Sequence, residues 1–153
     1  MTPFDHPALR RLVRLALEED LGRGDVTTNA TVGQGVEAVA TIVAREAVVV
    51  AGVPIVVLIL EEARVSSRLE TRVEEGTAVG SDTVLCELRG DAAGLLAIER
   101  VTLNFLQRTC GVATLTRRYV EAIAGTGARI VDTRKTVPGW RPSTSTPSPP
   151  EAR

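Results

Sequence analysis

Asp132-Thr133-Arg134-Lys135-Thr136 places two adjacent cations between two hydroxyl side chains. A planar guanidinium fork beside a compact ammonium suits carboxylate or phosphate groups. A solvated loop with incidental charges is the competing reading, and the segment taken alone favours it. Of the 18 basic residues, Lys135 is the sole lysine and the rest are arginine. A GC-rich genome that writes arginine by default explains the majority. It leaves the lysine as the exception, where a point charge on a flexible stem replaces the fork.

A second candidate is Glu99-Arg100-Val101-Thr102-Leu103-Asn104-Phe105-Leu106-Gln107. Its flanking apolar residues predict a mostly buried helix, and a buried arginine needs a partner. That partner could be Glu99, another chain or an anionic ligand. A third is the carboxylate-rich stretch Glu18-Glu19-Asp20-Leu21-Gly22-Arg23-Gly24-Asp25, followed by Val26-Thr27-Thr28. It suggests a metal site, but a helix end leading into a turn held by Asp and Thr side chains is the simpler reading. The single histidine, His6, reads as a first-turn helix residue. Cys86 and Cys110 form no CxxC pair, so a disulfide framework or zinc site is not expected. Both read as buried packing residues. Catalysis here would have to use something other than a Ser-His or Cys-His pair.

The chain has 153 residues, 44% of them hydrophobic, enough for one compact domain or one domain plus a fragment. A net charge of −1 argues against a general nucleic-acid binder. The longest apolar run, Val48 to Leu60, is interrupted by Gly52 and Pro54 and is too short to span a membrane. The N-terminus shows no charged-then-apolar signal pattern, so a cytoplasmic location is expected.

The elements that must position these groups follow from periodicity. Asp5 can cap a helix with Pro7 in its first turn, and Leu9, Leu12, Val13, Ala16 and Leu17 form its apolar stripe. Val36 to Val50 alternates, with Val36, Ala38, Ala40, Ile42 and Ala44 on one face of a strand. Ile55 to Ala63 is ambiguous on propensity, though Pro54 and Glu61-Glu62 favour helix. Leu69 to Val73 and Thr83 to Leu88 read as strands between glycine turns, which suggests a small sheet or open barrel. Asp91 can cap a helix from Ala92 to Cys110 with Leu95, Ile98, Thr102 and Phe105 buried. Gly111 is expected to break it, with a second helix from Ala113 to Ala124. Arg129 to Asp132 then reads as a short strand delivering Thr133-Arg134-Lys135 to its C-terminal end, where ligands gather in parallel sheets. Pro142 to Pro150 contains only Pro, Ser and Thr and is expected to be disordered.

Four blocks in register resemble the nicotinate-nucleotide pyrophosphorylases, also called quinolinate phosphoribosyltransferases. They are Glu19-Asp20-Leu21-Gly22 with Gly24-Asp25-Val26-Thr27-Thr28; Leu95-Leu96 with Glu99-Arg100 and Leu103-Asn104-Phe105-Leu106-Gln107; Gly111-Val112-Ala113-Thr114 with Thr116; and Asp132-Thr133-Arg134-Lys135-Thr136 with Pro138-Gly139 and Arg141. The resemblance implies an α+β N-terminal open-barrel or sandwich domain over 1–110. The start of a truncated α/β barrel over 111–141 and a tail over 142–153 would follow. It implies conversion of quinolinate and phosphoribosyl pyrophosphate to nicotinate mononucleotide, pyrophosphate and carbon dioxide, with magnesium, in a homodimer or higher oligomer sharing its active sites. It implies that Thr133, Arg134 and Lys135 bind substrate, with Lys135 the catalytic candidate. Arg100 would reach the quinolinate carboxylates in a neighbouring subunit's site. Such chemistry needs no protein nucleophile. It needs the ring nitrogen held against the ribose carbon and charge stabilised on departing pyrophosphate.

The resemblance stops at Arg141, where the family pattern continues with a Lys-Tyr-Ala-Val stretch and this chain turns to Pro/Ser/Thr. A truncated or frameshifted reading of a longer gene is the expectation. Two alternatives stand beside it: a non-catalytic N-terminal binding or dimerisation module, and a related pyrophosphorylase acting on another substrate.

Overall fold

The computed structural model describes residues 6–22, 32 and 35–141. Helix α1 (Pro7–Leu21) opens on a proline, whose missing N–H would have been unpaired there in any case. His6 is its N-cap, Nδ1 accepting from the Ala8 amide at 3.1 Å, one position before the first turn where it was expected. The expected cap, Asp5, lies outside the described residues. Leu9, Val13 and Leu17 are buried and Leu12 and Ala16 pack beside them, which is the predicted stripe.

The alternating run from 36 to 50 is not one strand. Strand β1 (Glu37–Val43) ends at a register shift after Ile42, and the chain bends at Arg45-Glu46 before β2 (Val48–Val49). Alternation runs smoothly through the bend because side-chain period does not record a change of ladder partner. β1 pairs in one sheet and β2 in another.

Helix α2 (Val53–Ala63) confirms the helical reading of this β-branched stretch. Six of its residues are buried, so packing rather than propensity decides its state. At its start the Glu75 carboxylate accepts from the Gly52 and Val53 amides, each at 2.8 Å. Two unpaired donors and the positive end of the helix dipole are thereby satisfied together.

Strand β3 (Ser67–Thr71), the short β4 (Ala78–Val79) and β5 (Val84–Asp91) complete the sheets. The larger has the order β1-β5-β3, antiparallel throughout, and β2 pairs with β4 in the smaller. Ala38, Ala40 and Ile42 face the core together with Leu88, Cys86 and Leu69. The sheet is open, so the fold is α+β with no closed barrel among the described residues.

Helix α3 (Ala92–Ala122) is capped by Asp91, whose carboxylate accepts from the Gly94 amide at 2.8 Å. Leu95, Ile98, Thr102 and Phe105 are buried as the stripe predicts. Gly111, expected to break the helix, does not, and α3 runs through it for 31 residues. An interior glycine costs only about 1 kcal/mol relative to alanine. Anchors on both sides offset that cost. Thr109 Oγ1 donates to the Ala51 carbonyl at 2.6 Å, and the Val49 amide donates to Thr114 Oγ1 at 2.9 Å.

Residues 129–132, read as a strand, are not one. Ile130 and Val131 are exposed, and among the described residues no strand pairs with them. Strand geometry is held by ladder bonds, and so short an apolar run has no ladder to join.

Cys86 and Cys110 are free and buried. Burial pushes the Cys86 thiol up to about 11 and raises Cys110, the latter opposed by its hydrogen bond with the Ala51 backbone.

Helices α1 and α2 are tied by charge. Arg10 reaches Glu61 and Glu62 at 3.0 Å each, and Arg14 also donates to Glu62, whose side chain is 9% exposed. The Arg14 and Arg10 hydrogen bonds hold the Glu62 carboxyl below the ordinary glutamate value. A depressed carboxyl contributes stability at neutral pH that is lost as pH falls through the folded-state value, below about 4.3. Glu62→Gln is therefore expected to unfold at lower urea than the wild type at pH 7. The two midpoints should converge as pH is lowered toward 3. A gap that stays constant with pH would show that the pair contributes through packing and not charge.

Candidate functional site

Arg100 stands on α3, but not on its buried side. Its side chain is 75% exposed, so the expectation of a buried arginine is corrected. The stripe Ile98, Val101, Thr102, Phe105 takes one side of the helix, and Glu99 and Arg100 fall outside it. Asp20, near the end of α1, is an ion partner of Arg100: its Oδ1 accepts from Arg100 Nη1 at 2.6 Å. The Asp20 side chain is 18% exposed, so a largely buried carboxylate holds an outward-facing guanidinium.

Thr133, Arg134 and Lys135 lie in the exposed segment that follows α3. Their order is local. Asp132 Oδ1 accepts from the Thr133 amide at 2.8 Å, and Thr133 Oγ1 accepts from the Lys135 amide at 3.2 Å. The side chain of Thr133 thus shapes the backbone that bears the two cations. Asp132 also approaches Arg141 at 3.8 Å.

Asp20, part of the carboxylate-rich stretch at the end of α1, holds Arg100. Trp140, to which the sequence assigned no role, anchors the other segment. Its ring stacks on Phe105 with centroids 4.9 Å apart and planes at 28°, and the Arg108 guanidinium sits 5.5 Å from its centroid. Gly139 beside it has φ of 83°, and a Cβ added there would lie 3.9 Å from Leu12 Cδ1 on α1. The available signal was a lone large aromatic next to a Pro-Gly turn in an otherwise polar stretch.

Among the described residues no three His, Cys, Asp or Glu side chains converge on a point where a metal could sit. No helix among the described residues is long and apolar enough to cross a membrane.

An open α+β unit that exposes arginine and lysine beside threonine hydroxyls is suited to handling small anions. Comparison with known proteins gives the particular kind. Residues 25–110 match the quinolinate phosphoribosyl transferase N-terminal domain and residues 112–146 match the C-terminal domain of the same family. This chain belongs to the quinolinate phosphoribosyl transferase family. It is 43% identical over 144 residues to the nicotinate-nucleotide pyrophosphorylase [carboxylating] of Mycobacterium leprae, covering 92% of this chain and 51% of that protein. It is 42% identical over 125 residues to a probable nicotinate-nucleotide pyrophosphorylase of Synechocystis, covering 82% and 42%. A solved nicotinate-nucleotide pyrophosphorylase from Francisella tularensis superposes with a TM-score of 0.83 at 28% identity, over 90% of this chain and 49% of that one. The chain spans about half the length of the curated relatives it matches.

Proposed function

We propose that this chain serves phosphoribosyl transfer in NAD biosynthesis. Quinolinate and phosphoribosyl pyrophosphate are converted to nicotinate mononucleotide, pyrophosphate and carbon dioxide. The observation that carries this reading is the exposed Thr133-Arg134-Lys135 segment, shaped by its own hydrogen bonds, in a chain of this family. Quinolinate is a dicarboxylate and its co-substrate carries several phosphates. Cations placed in advance neutralise such charge without reorganising during reaction. Bond breaking sends an electron pair onto the departing pyrophosphate, and Lys135 is proposed as the catalytic cation there. Arg134 supplies a two-pronged contact for carboxylate or phosphate.

Arg100 is proposed to complete a neighbouring subunit's site in a homodimer or higher oligomer in the cytoplasm. Its 75% side-chain exposure supports a role directed away from its own core. The proposed division places the N-terminal domain at 1–110 and the beginning of the catalytic domain at 111–141.

Residues 133–135 are open to water in this chain, and the reaction needs water excluded. The isolated 153-residue chain is therefore expected to form no nicotinate mononucleotide, and turnover by the purified chain would overturn that expectation. Calorimetric titration with quinolinate tests the reading itself. Heat of binding is expected when the chain is combined with a full-length relative, and it should be diminished by Lys135→Ala. Equal heats with and without Lys135 would count against the assignment.

A further inference from the structure

We infer that Trp140 is a positioning residue that presents Arg134 and Lys135 to the substrate anion, an inference that rests on the anion-binding reading of residues 133–135. The segment from 123 to 139 leaves the end of α3 and returns to the middle of the same helix. Its far end is fixed there by Trp140, stacked on Phe105 and lying under Arg108. Trp140 packs against the core while Val131, Thr133, Arg134 and Lys135 stay exposed. The Trp140 amide closes the Val137-Pro138-Gly139 turn onto the Val137 carbonyl at 3.1 Å. A loop held at both ends samples fewer arrangements than one held at a single end. The ordering cost of bringing two cations onto one ligand falls accordingly. Phe105 and Arg108 are three apart on α3, so one helical face supplies both contacts.

Trp140 is the only tryptophan in the chain, so its emission reports on this anchor directly. The experiment uses the purified full chain at low ionic strength and inorganic pyrophosphate as the probe. Calorimetry and tryptophan emission are followed together. Wild type is expected to bind pyrophosphate with a saturable change in emission, and Lys135→Ala is expected to abolish binding. Trp140→Ala is expected to weaken binding by about 5- to 20-fold, a loss of the size expected for freeing a pre-ordered segment. Trp140→Phe should recover affinity to within about 3-fold, because a ring that can still stack on Phe105 remains. Arg108→Gln, a change at an exposed helix position, should give an intermediate loss in a chain that still folds.

If Lys135→Ala weakens binding but Trp140→Ala does not, the positioning role is wrong and the anion-binding reading stands. If pyrophosphate does not bind the wild type, or Lys135→Ala changes nothing, the anion-binding reading fails and the positioning role fails with it. If Trp140→Ala and Trp140→Phe lose affinity equally, stacking is not the cause and the inference is overturned.

Discussion

Phe105→Ala is expected to lower the unfolding free energy by about 3–5 kcal/mol, the usual cost of truncating a fully buried aromatic. Phe105 is 2% exposed and is the largest of the fully enclosed side chains. It belongs to the one core cluster into which α1, α2, α3 and the inner sheet face all pack. Removing the ring deletes its transfer energy and leaves a cavity that three helices and a sheet cannot readily close. It also removes the surface on which Trp140 stacks. Domains of this size have about 5–15 kcal/mol in total, so the variant should be marginal or unfolded at 37 °C. Urea unfolding read by circular dichroism gives the stability, and the emission of Trp140 read in parallel gives the anchor. A loss below about 1 kcal/mol would mean that the site collapses around the missing ring and that the packing described is wrong.

Gly52→Ala is the second large effect, expected at about 3 kcal/mol or more, summing left-handed strain and a steric clash. Gly52 has φ of 94°, a region costly for any residue with a Cβ. A Cβ there would overlap Thr109 Oγ1 and lie 3.1 Å from Thr109 Cβ. Thr109 would have to move, giving up its hydrogen bond to the Ala51 carbonyl. The displaced backbone would also disturb the Gly52 and Val53 amides that Glu75 accepts from. The same substitution at Gly111 provides the contrast. That position is helical with nothing within 4 Å of a would-be Cβ, so Gly111→Ala should stabilise by about 0.5–1 kcal/mol. Opposite signs for one chemical change, measured by urea midpoint, would support both placements. Equal signs would contradict at least one.

The comparison of Gly52 with Gly111 also shows where sequence reading succeeds and where it stops. Both glycines look like breaks, and only the first is one. Whether a glycine ends a helix depends on what holds the backbone on either side. At Gly111 the hold comes from Val49 and Ala51, about sixty positions away in the chain. Apolar periodicity did reveal α1 and the buried stripe of α3, because burial leaves a local trace at fixed spacing, whereas α2 was favoured as a helix only by Pro54 and Glu61-Glu62 at its ends. It did not reveal that the 36–50 run is divided between two sheets, since strand period is blind to ladder partners. The cations of the candidate site were legible as residue types. Their supports were not. Asp20 reaches Arg100 across 80 positions, and Trp140 reaches Phe105 across 35. Arg100 lies off the apolar stripe of its helix and is exposed although the stretch around it is largely apolar. On a helix, sequence neighbours point in different directions.

Arg100→Ala affords the sharpest test of the functional reading. The measurement is quinolinate affinity, by calorimetry, of assemblies formed between this chain and a full-length relative. A guanidinium bonded to a carboxylate typically contributes about 1.5–3 kcal/mol, which corresponds to a loss of about 10- to 150-fold. Arg100→Lys, which keeps the charge and loses the fork, should fall between. Circular dichroism of the variants should match the wild type, because the side chain is mostly exposed. A 10-fold or greater loss with Arg100→Ala is the predicted result, and quinolinate affinity equal to that of the wild-type assembly would contradict it.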